Sequence, residues 1–127
     1  VNQEILSNSV KSIVTISSVA SLGGEKGISL YASSKASLNS LVKSFALELA
    51  KKKIRVNSVI LGNILKGMGL NISKFLNDEQ IKNLENKHPL GFGKTKDLFY
   101  LLEYLVDNER SRWVTGSNIV LDGGFSV

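Results

Sequence analysis

Apolar runs of strand length alternate with stretches of helical periodicity, which predicts a layered α/β fold of about three parallel strands with flanking helices. Three observations carry this expectation: the β-branched run Ile13-Val14-Thr15-Ile16, a second run from Ile54 to Leu61, and the long amphipathic stretch between them. A short, nearly continuous apolar run is the pattern of a strand covered on both faces, as in a parallel sheet. Parallel strands need crossover connections, and the intervening helices supply them.

Ile13 to Ile16 reads as the first strand, closed by Ser17 and Ser18, and Leu22-Gly23-Gly24-Glu25-Lys26-Gly27 as a glycine-rich loop. From about Ser29 to Lys52, the residues Leu38, Leu41, Val42, Phe45, Ala46 and Leu49 recur at helical spacing and predict one apolar face. The first turns of that helix carry Ala32, Ser33, Ser34, Ala36 and Ser37, whose small side chains permit close approach of another helix or a ligand. Glu48 and Lys52 are spaced for an i,i+4 ion pair, and Lys51-Lys52-Lys53 falls where cations complement a helix end. Ile54 to Leu61 is the second strand. Asn77-Asp78-Glu79-Gln80 is the pattern of a capped helix start, with the helix running to about Asn86. Pro89-Leu90-Gly91-Phe92-Gly93 reads as a turn, and Lys96 to Val106 as a further amphipathic helix with Phe99, Leu102 and Val106 in the core. Ser117 to Leu121 is the last strand, ended by Asp122-Gly123-Gly124.

A chain of 127 residues bounds the reading to a single domain with a modest core. Its 43% hydrophobic and 21% charged residues are ordinary for a soluble protein. No apolar run approaches the roughly 18 residues of a membrane span, so no membrane partner is expected. The opening Val1-Asn2-Gln3-Glu4 lacks a basic segment leading into an apolar stretch, so no signal peptide is expected. With no cysteine there is neither a disulfide framework nor a thiolate zinc site, which fits a cytoplasmic protein. His88, the single histidine, reads as a surface turn residue, and no metal is expected. The net charge of +5 comes from lysines scattered along the chain without an aromatic-basic platform, which argues against a nucleic-acid partner. Gly67-Met68-Gly69 lacks the third glycine of a dinucleotide fingerprint, and Gly93-Lys94-Thr95 has His88 where a phosphate-binding loop needs glycine.

Tyr31 and Lys35 share one face at the start of the long helix, where residues four apart have Cβ atoms roughly 5–6 Å from each other. An ammonium at that spacing favours phenolate over phenol and suits the tyrosine to general acid or base work. Ser18, thirteen residues upstream, closes the first strand at its carboxyl end, where open α/β sheets place ligands. Spacing alone leaves both readings open: a buried tyrosine with a solvated lysine and a capping serine, or a catalytic set.

The surrounding text decides between them. Ser12 to Ser18, Tyr31-Ala32-Ser33-Ser34-Lys35, Arg55-Val56-Asn57-Ser58-Val59, Val114-Thr115-Gly116 and Leu121-Asp122-Gly123-Gly124 occur in order and at familiar intervals. Together they resemble the carboxyl-terminal half of the short-chain dehydrogenase/reductase family, in its 3-oxoacyl-acyl-carrier-protein-reductase-like branch, from Lys11 onward. The resemblance implies the carboxyl-terminal part of a Rossmann-type doubly wound parallel sheet: residues 1–127 form a single partial domain, the catalytic half, without the nucleotide-binding first half. The opening residues read as the tail of a helix already under way, so the chain is expected to be part of a longer enzyme and inactive in isolation.

By the same resemblance, Ser18 orients a substrate carbonyl, Tyr31 transfers the proton, and Lys35 favours the phenolate and binds nicotinamide-ribose hydroxyls. Tyr31, Lys35 and the backbone of Leu61, Gly62 and Ile64 then face a nicotinamide cofactor, NAD or NADP, and Ser18 and Tyr31 face a small carbonyl or alcohol substrate. Asn57 would secure its strand and the neighbouring loop. Two departures stand out: Leu61 occupies the place of the family's proline, and Lys66 that of its threonine. Residues 67–89 would form a substrate-facing lid, with Leu70, Ile72, Phe75 and Leu76 as an apolar wall or as ordinary packing. A homo-oligomer through the long helix near Tyr31 is also expected. The other reading is a non-catalytic interaction module of the same fold, which the departures and the half-sheet edges favour.

Overall fold

A computed structural model describes residues 10–64 and 76–127. In chain order the elements are β1 (Ser12–Ser18), a 3-10 turn (Val19–Ser21), α1 (Ser29–Leu49), β2 (Arg55–Leu61), α2 (Asp78–Asn86), α3 (Thr95–Val106) and β3 (Asn118–Leu121). The three strands pair in parallel in the order β1-β2-β3. Each expected element is present, and most boundaries fall within a residue or two of those read from the sequence. Lys66, Leu70, Ile72 and Phe75, to which the sequence reading gives roles, lie outside the described residues, as does the expected helix tail at the start.

β2 lies between the other two strands, and from Arg55 to Ile60 every residue is buried, including the polar Asn57 and Ser58. β1 has a partner on one side only, and just Ser17 is fully buried there. Alternation along the strands sorts the residues onto two faces. Val56 packs with Val42 and Ala46 of α1, and Ile13 and Leu49 join that cluster, so one face lies under α1. Ser12 and Arg55, which are register partners, both donate to the Leu105 carbonyl at 2.9 Å, so the other face carries α3. Helices thus cover both faces, the layering expected of an α/β unit.

Several details differ from the sequence reading. α1 stops at Leu49, a 3-10 turn spans Ala50–Lys52, and Lys53 closes it in the left-handed region at φ 56. Lys52 therefore leaves the α-helical path, and no Glu48–Lys52 ion pair forms; the ion pairs among the described residues join Arg110 to Asp107 and Glu103. Leu41 and Phe45 keep 41% and 38% of their surface exposed, because only the Val42, Ala46 and Leu49 side of α1 meets the sheet. In α3, Leu105 is buried while Phe99 and Val106 stay 60% and 55% exposed. Leu98, Leu101, Leu102 and Leu105 make a second stripe at the same helical spacing, and that one faces inward.

The expected capping box opens α2: Asn77 accepts from the Gln80 N–H at 2.8 Å, and Gln80 accepts from the Asn77 N–H at 2.9 Å. Asn57 holds the connection into β3, donating to the Val114 carbonyl at 2.9 Å and accepting from the Ser117 N–H at 3.1 Å. Arg55 is 7% exposed and works as a helix cap, its guanidinium also reaching the Asp107 carbonyl and Asn108 Oδ1 beyond α3.

Candidate active site

The carboxyl ends of the three strands gather the residues that the sequence singles out. Ser18 and Leu61 are register partners at the ends of β1 and β2, and Leu61 pairs onward with Leu121 of β3. α1 begins after the glycine-rich loop and runs back beneath this edge. Its Lys35 Nζ donates to the Ile16 carbonyl at 2.9 Å, two residues before Ser18. Ser17 Oγ donates to the Lys35 carbonyl at 2.9 Å, so the helix is stitched to the strand from both sides. The ammonium also stands 5.8 Å from the centroid of the Tyr31 ring, within cation–π range. Tyr31 itself is 41% exposed, which leaves its ring accessible at the molecular surface.

Ser18 performs the capping role that spacing alone allows. Its Oγ accepts from the Ala20 N–H at 3.2 Å and caps the 3-10 turn. An accepting hydroxyl keeps its own proton for donation to another oxygen. The turn is held by Ser21, which donates to the Ser18 carbonyl at 2.6 Å and accepts from Asn39 Nδ2 at 2.8 Å.

A cleft of about 450 Å³ opens beside the ends of β2 and β3, lined by Leu61, Asn63, Ile64, Phe92, Lys94 and Asp122 among others. Ser18, Tyr31 and Lys35 are not in its lining; they lie at the end of β1 and in the first turns of α1. Gly62 shows how tightly the strand ends meet. Its N–H bonds the Leu121 carbonyl at 2.9 Å, and a Cβ there would lie 2.7 Å from Asp122 Cα. Ile64 continues in a parallel bridge with Gly93. Burial pushes the Asp122 carboxyl up, but the Ser126 hydroxyl and the Gly124 and Ser126 N–H groups outweigh it, so its pKa lies below the usual value.

His88 corrects the sequence reading. It is 2% exposed rather than a surface residue. Its Nδ1 lies 2.9 Å from the Leu84 carbonyl, which can only accept, so Nδ1 carries the proton. Nε2 is then left to accept from the Asn63 N–H and Nδ2, each at 3.4 Å. Phe92 and Phe125 flank the ring at centroid distances of 5.3 and 4.7 Å. Spacing gave no signal for this, since Asn63, Phe92 and Phe125 are far apart in the chain. Among the described residues no group of three His, Asp or Glu side chains is placed to hold a metal ion.

The family model described as enoyl-(acyl carrier protein) reductase matches residues 2–126. The chain belongs to the short-chain dehydrogenase/reductase family. Among similar dehydrogenase/reductase sequences, 3-oxoacyl-acyl-carrier-protein reductase of Bos taurus is 40% identical over 117 residues, covering 91% of this chain and 45% of its own length. Carbonyl reductase (NADPH) 2 of Sus scrofa is 35% identical over 115 residues, covering 90% and 46%. A short-chain type dehydrogenase/reductase from Mycobacterium marinum superposes with a TM-score of 0.82 at 33% identity, over 95% of this chain and 46% of that one. A 4-hydroxyisoleucine dehydrogenase in complex with NADH superposes with a TM-score of 0.84 at 34% identity, over 95% and 49%. This short-chain dehydrogenase/reductase chain spans about half the length of the curated relatives it matches. Its three-stranded parallel sheet with flanking helices is the carboxyl-terminal part of their Rossmann-type fold.

Proposed function

We propose that this chain supplies the catalytic half of an NAD(P)-dependent oxidoreductase that interconverts a small carbonyl compound and a secondary alcohol. The observation that carries the reading is the Lys35 ammonium, 5.8 Å from the Tyr31 ring and anchored on the strand that ends in Ser18. In this reading Tyr31 gives or takes the proton at the substrate oxygen, and Ser18 donates a hydrogen bond to the same oxygen. Lys35 holds a positive charge beside the phenol and offers its remaining N–H donors to ribose hydroxyls. When bound, the nicotinamide supplies or accepts the hydride.

The residues present fit the nicotinamide end of such a cofactor. Gly62 lets the ends of β2 and β3 approach within a distance that any side chain would block, and the backbone from Leu61 to Ile64 borders an open cleft at the carboxyl ends of the strands. One similar protein is named for NADPH and another is bound to NADH, so both nucleotides stay within the reading. The described residues form a single partial Rossmann-type domain in this proposal, with the nucleotide-binding half supplied by further polypeptide. No described helix is long and apolar enough to cross a membrane, and a cytoplasmic location is part of the proposal.

The test is Tyr31→Phe in a polypeptide that joins this chain to a nucleotide-binding half. Turnover should fall by about 10²–10⁴-fold, the usual scale of general acid–base catalysis, with dinucleotide affinity retained. Retention of most activity would remove Tyr31 from the proton-transfer role.

A second reading adds self-association. Leu41 and Phe45, one helical turn apart, share a side of α1 with 41% and 38% of their surface exposed, and adjacent exposed apolar side chains of this kind favour contact between protein surfaces. Gel filtration across a concentration series should show a dimer or larger species, whereas a monomer throughout would oppose it.

A further inference from the structure

We propose that the interface between α1 and the sheet encloses a built hydration site, in which one or two ordered waters bridge Thr15, Asn39, Ser58 and Asn118. Four side-chain oxygens there are buried and have no hydrogen-bond partner among the described residues: Thr15 Oγ1, Asn39 Oδ1, Ser58 Oγ and Asn118 Oδ1. They are neighbours rather than scattered atoms. Thr15 is the register partner of Ser58, and Ser58 is the register partner of Asn118, so the three form one row across the sheet. Register partners project on the same face. That face is the one under α1, because Asn118 Nδ2 donates to the Asn39 carbonyl of the helix at 3.0 Å.

The amide orientations follow from donor and acceptor chemistry. Asn118 must turn its Nδ2 toward the Asn39 carbonyl, since a carbonyl can only accept. Asn39 must turn its Nδ2 toward Ser21 Oγ, because that hydroxyl spends its proton on the Ser18 carbonyl at 2.6 Å. Flipping either amide would set two acceptors against each other, so both Oδ1 atoms remain acceptors in need of a donor.

Water matches the remaining demand. Two amide oxygens require donors, and two hydroxyls require somewhere to place their protons. A water molecule brings two hydrogens and two lone pairs, and buried waters typically make two to four such bonds. A cation would exchange its hydration for neutral oxygens alone, with no carboxylate in the set, which disfavours it. Ser58 also lies between the larger Val56 and Ile60 on the same face of β2, at the centre of the row.

The site bears on the chain's geometry through Asn39. This residue lies one helical turn beyond Lys35, and its amide holds Ser21, which in turn holds the carbonyl of Ser18. Waters bound to Asn39 Oδ1 fix the amide plane and thereby the turn that follows β1. The site is defined by fold alone, so its test requires no catalysis.

The direct test is a crystal structure of the 127-residue chain at better than about 1.8 Å, where an ordered water should refine within about 2.6–3.2 Å of at least two of the four oxygens. A dry interface there would overturn the proposal. Thr15→Val and Ser58→Ala give an independent readout. Each should lower the melting temperature by about 3–8 °C, and the double variant by less than the sum, because both hydroxyls share the bridged network. Unchanged or raised melting temperatures would show that the hydroxyls were better removed, as unsolvated orphans would be, and would also overturn it.

Discussion

Replacing Gly62 with alanine tests how closely the ends of β2 and β3 must approach. The added Cβ would stand 2.7 Å from Asp122 Cα and 2.9 Å from Asp122 Cβ. Carbon atoms in ordinary contact lie about 3.5–4.0 Å apart, so the overlap is roughly 1 Å, and part of it is against backbone rather than a side chain that can swing away. Relief requires the two strand ends to separate, which strains the bond from the Gly62 N–H to the Leu121 carbonyl. Overpacking of this kind costs about 1–3 kcal/mol. For a chain of this size the melting temperature should fall by about 4–12 °C. Thermal unfolding followed by circular dichroism measures the shift. Gly23→Ala and Gly24→Ala provide controls, since a Cβ at either position meets nothing within 4 Å. If Gly62→Ala melts with the controls, the close approach deduced from the strand geometry is wrong.

Three further outcomes follow from particular contacts. Asn57→Ala leaves the Val114 carbonyl and the Ser117 N–H without their partner, and chemical denaturation should show a loss of about 2–4 kcal/mol; a loss under about 0.5 kcal/mol would refute its bridging role. Asp107 is held down to about 2 by the Arg110 N–H first, then by the Arg110 guanidinium and the Glu109 N–H. Its folded value lies below the unfolded one, so its contribution is present above about pH 4 and is lost as the pH falls toward 2; Asp107→Asn should flatten the acid limb of a stability–pH curve, and an unaltered limb would contradict this. For the 127-residue chain alone, calorimetry with NADH should show little or no binding, because the sequence carries no glycine-rich phosphate loop; micromolar affinity would oppose that expectation.

The strands and the capped start of α2 were readable because they rest on local pattern. β-branched runs mark buried strands, and Asn77 with Gln80 satisfies its own helix end. The faces of the helices were less readable. In α3 two apolar stripes share helical spacing, and only packing against β1 and β2 selects the one containing Leu105 over the one containing Phe99 and Val106. The end of α1 was misjudged for a related reason: Lys51 and Lys52 suit an α-helix, yet the left-handed Lys53 turns the chain into β2. His88 was hidden because its environment is assembled from distant segments, with Asn63, Phe92 and Phe125 meeting only in the folded chain. At the site, the pairing of Tyr31 with Lys35 followed from four-residue spacing, and the structure places the ammonium near the ring. The anchoring of that ammonium on Ile16 and the separate cleft beside Ile64 depend on tertiary geometry that spacing does not encode.

The sharpest measurement is a double-mutant cycle on turnover with Ser18→Ala and Tyr31→Phe, made in a polypeptide that includes a nucleotide-binding half. If both hydroxyls act on one substrate oxygen, each single variant should lose most of the rate, and the double variant should lose little more than the worse single one. Losses that multiply independently, or single variants that keep near-full turnover, would show that Ser18 and Tyr31 do not serve one reacting centre.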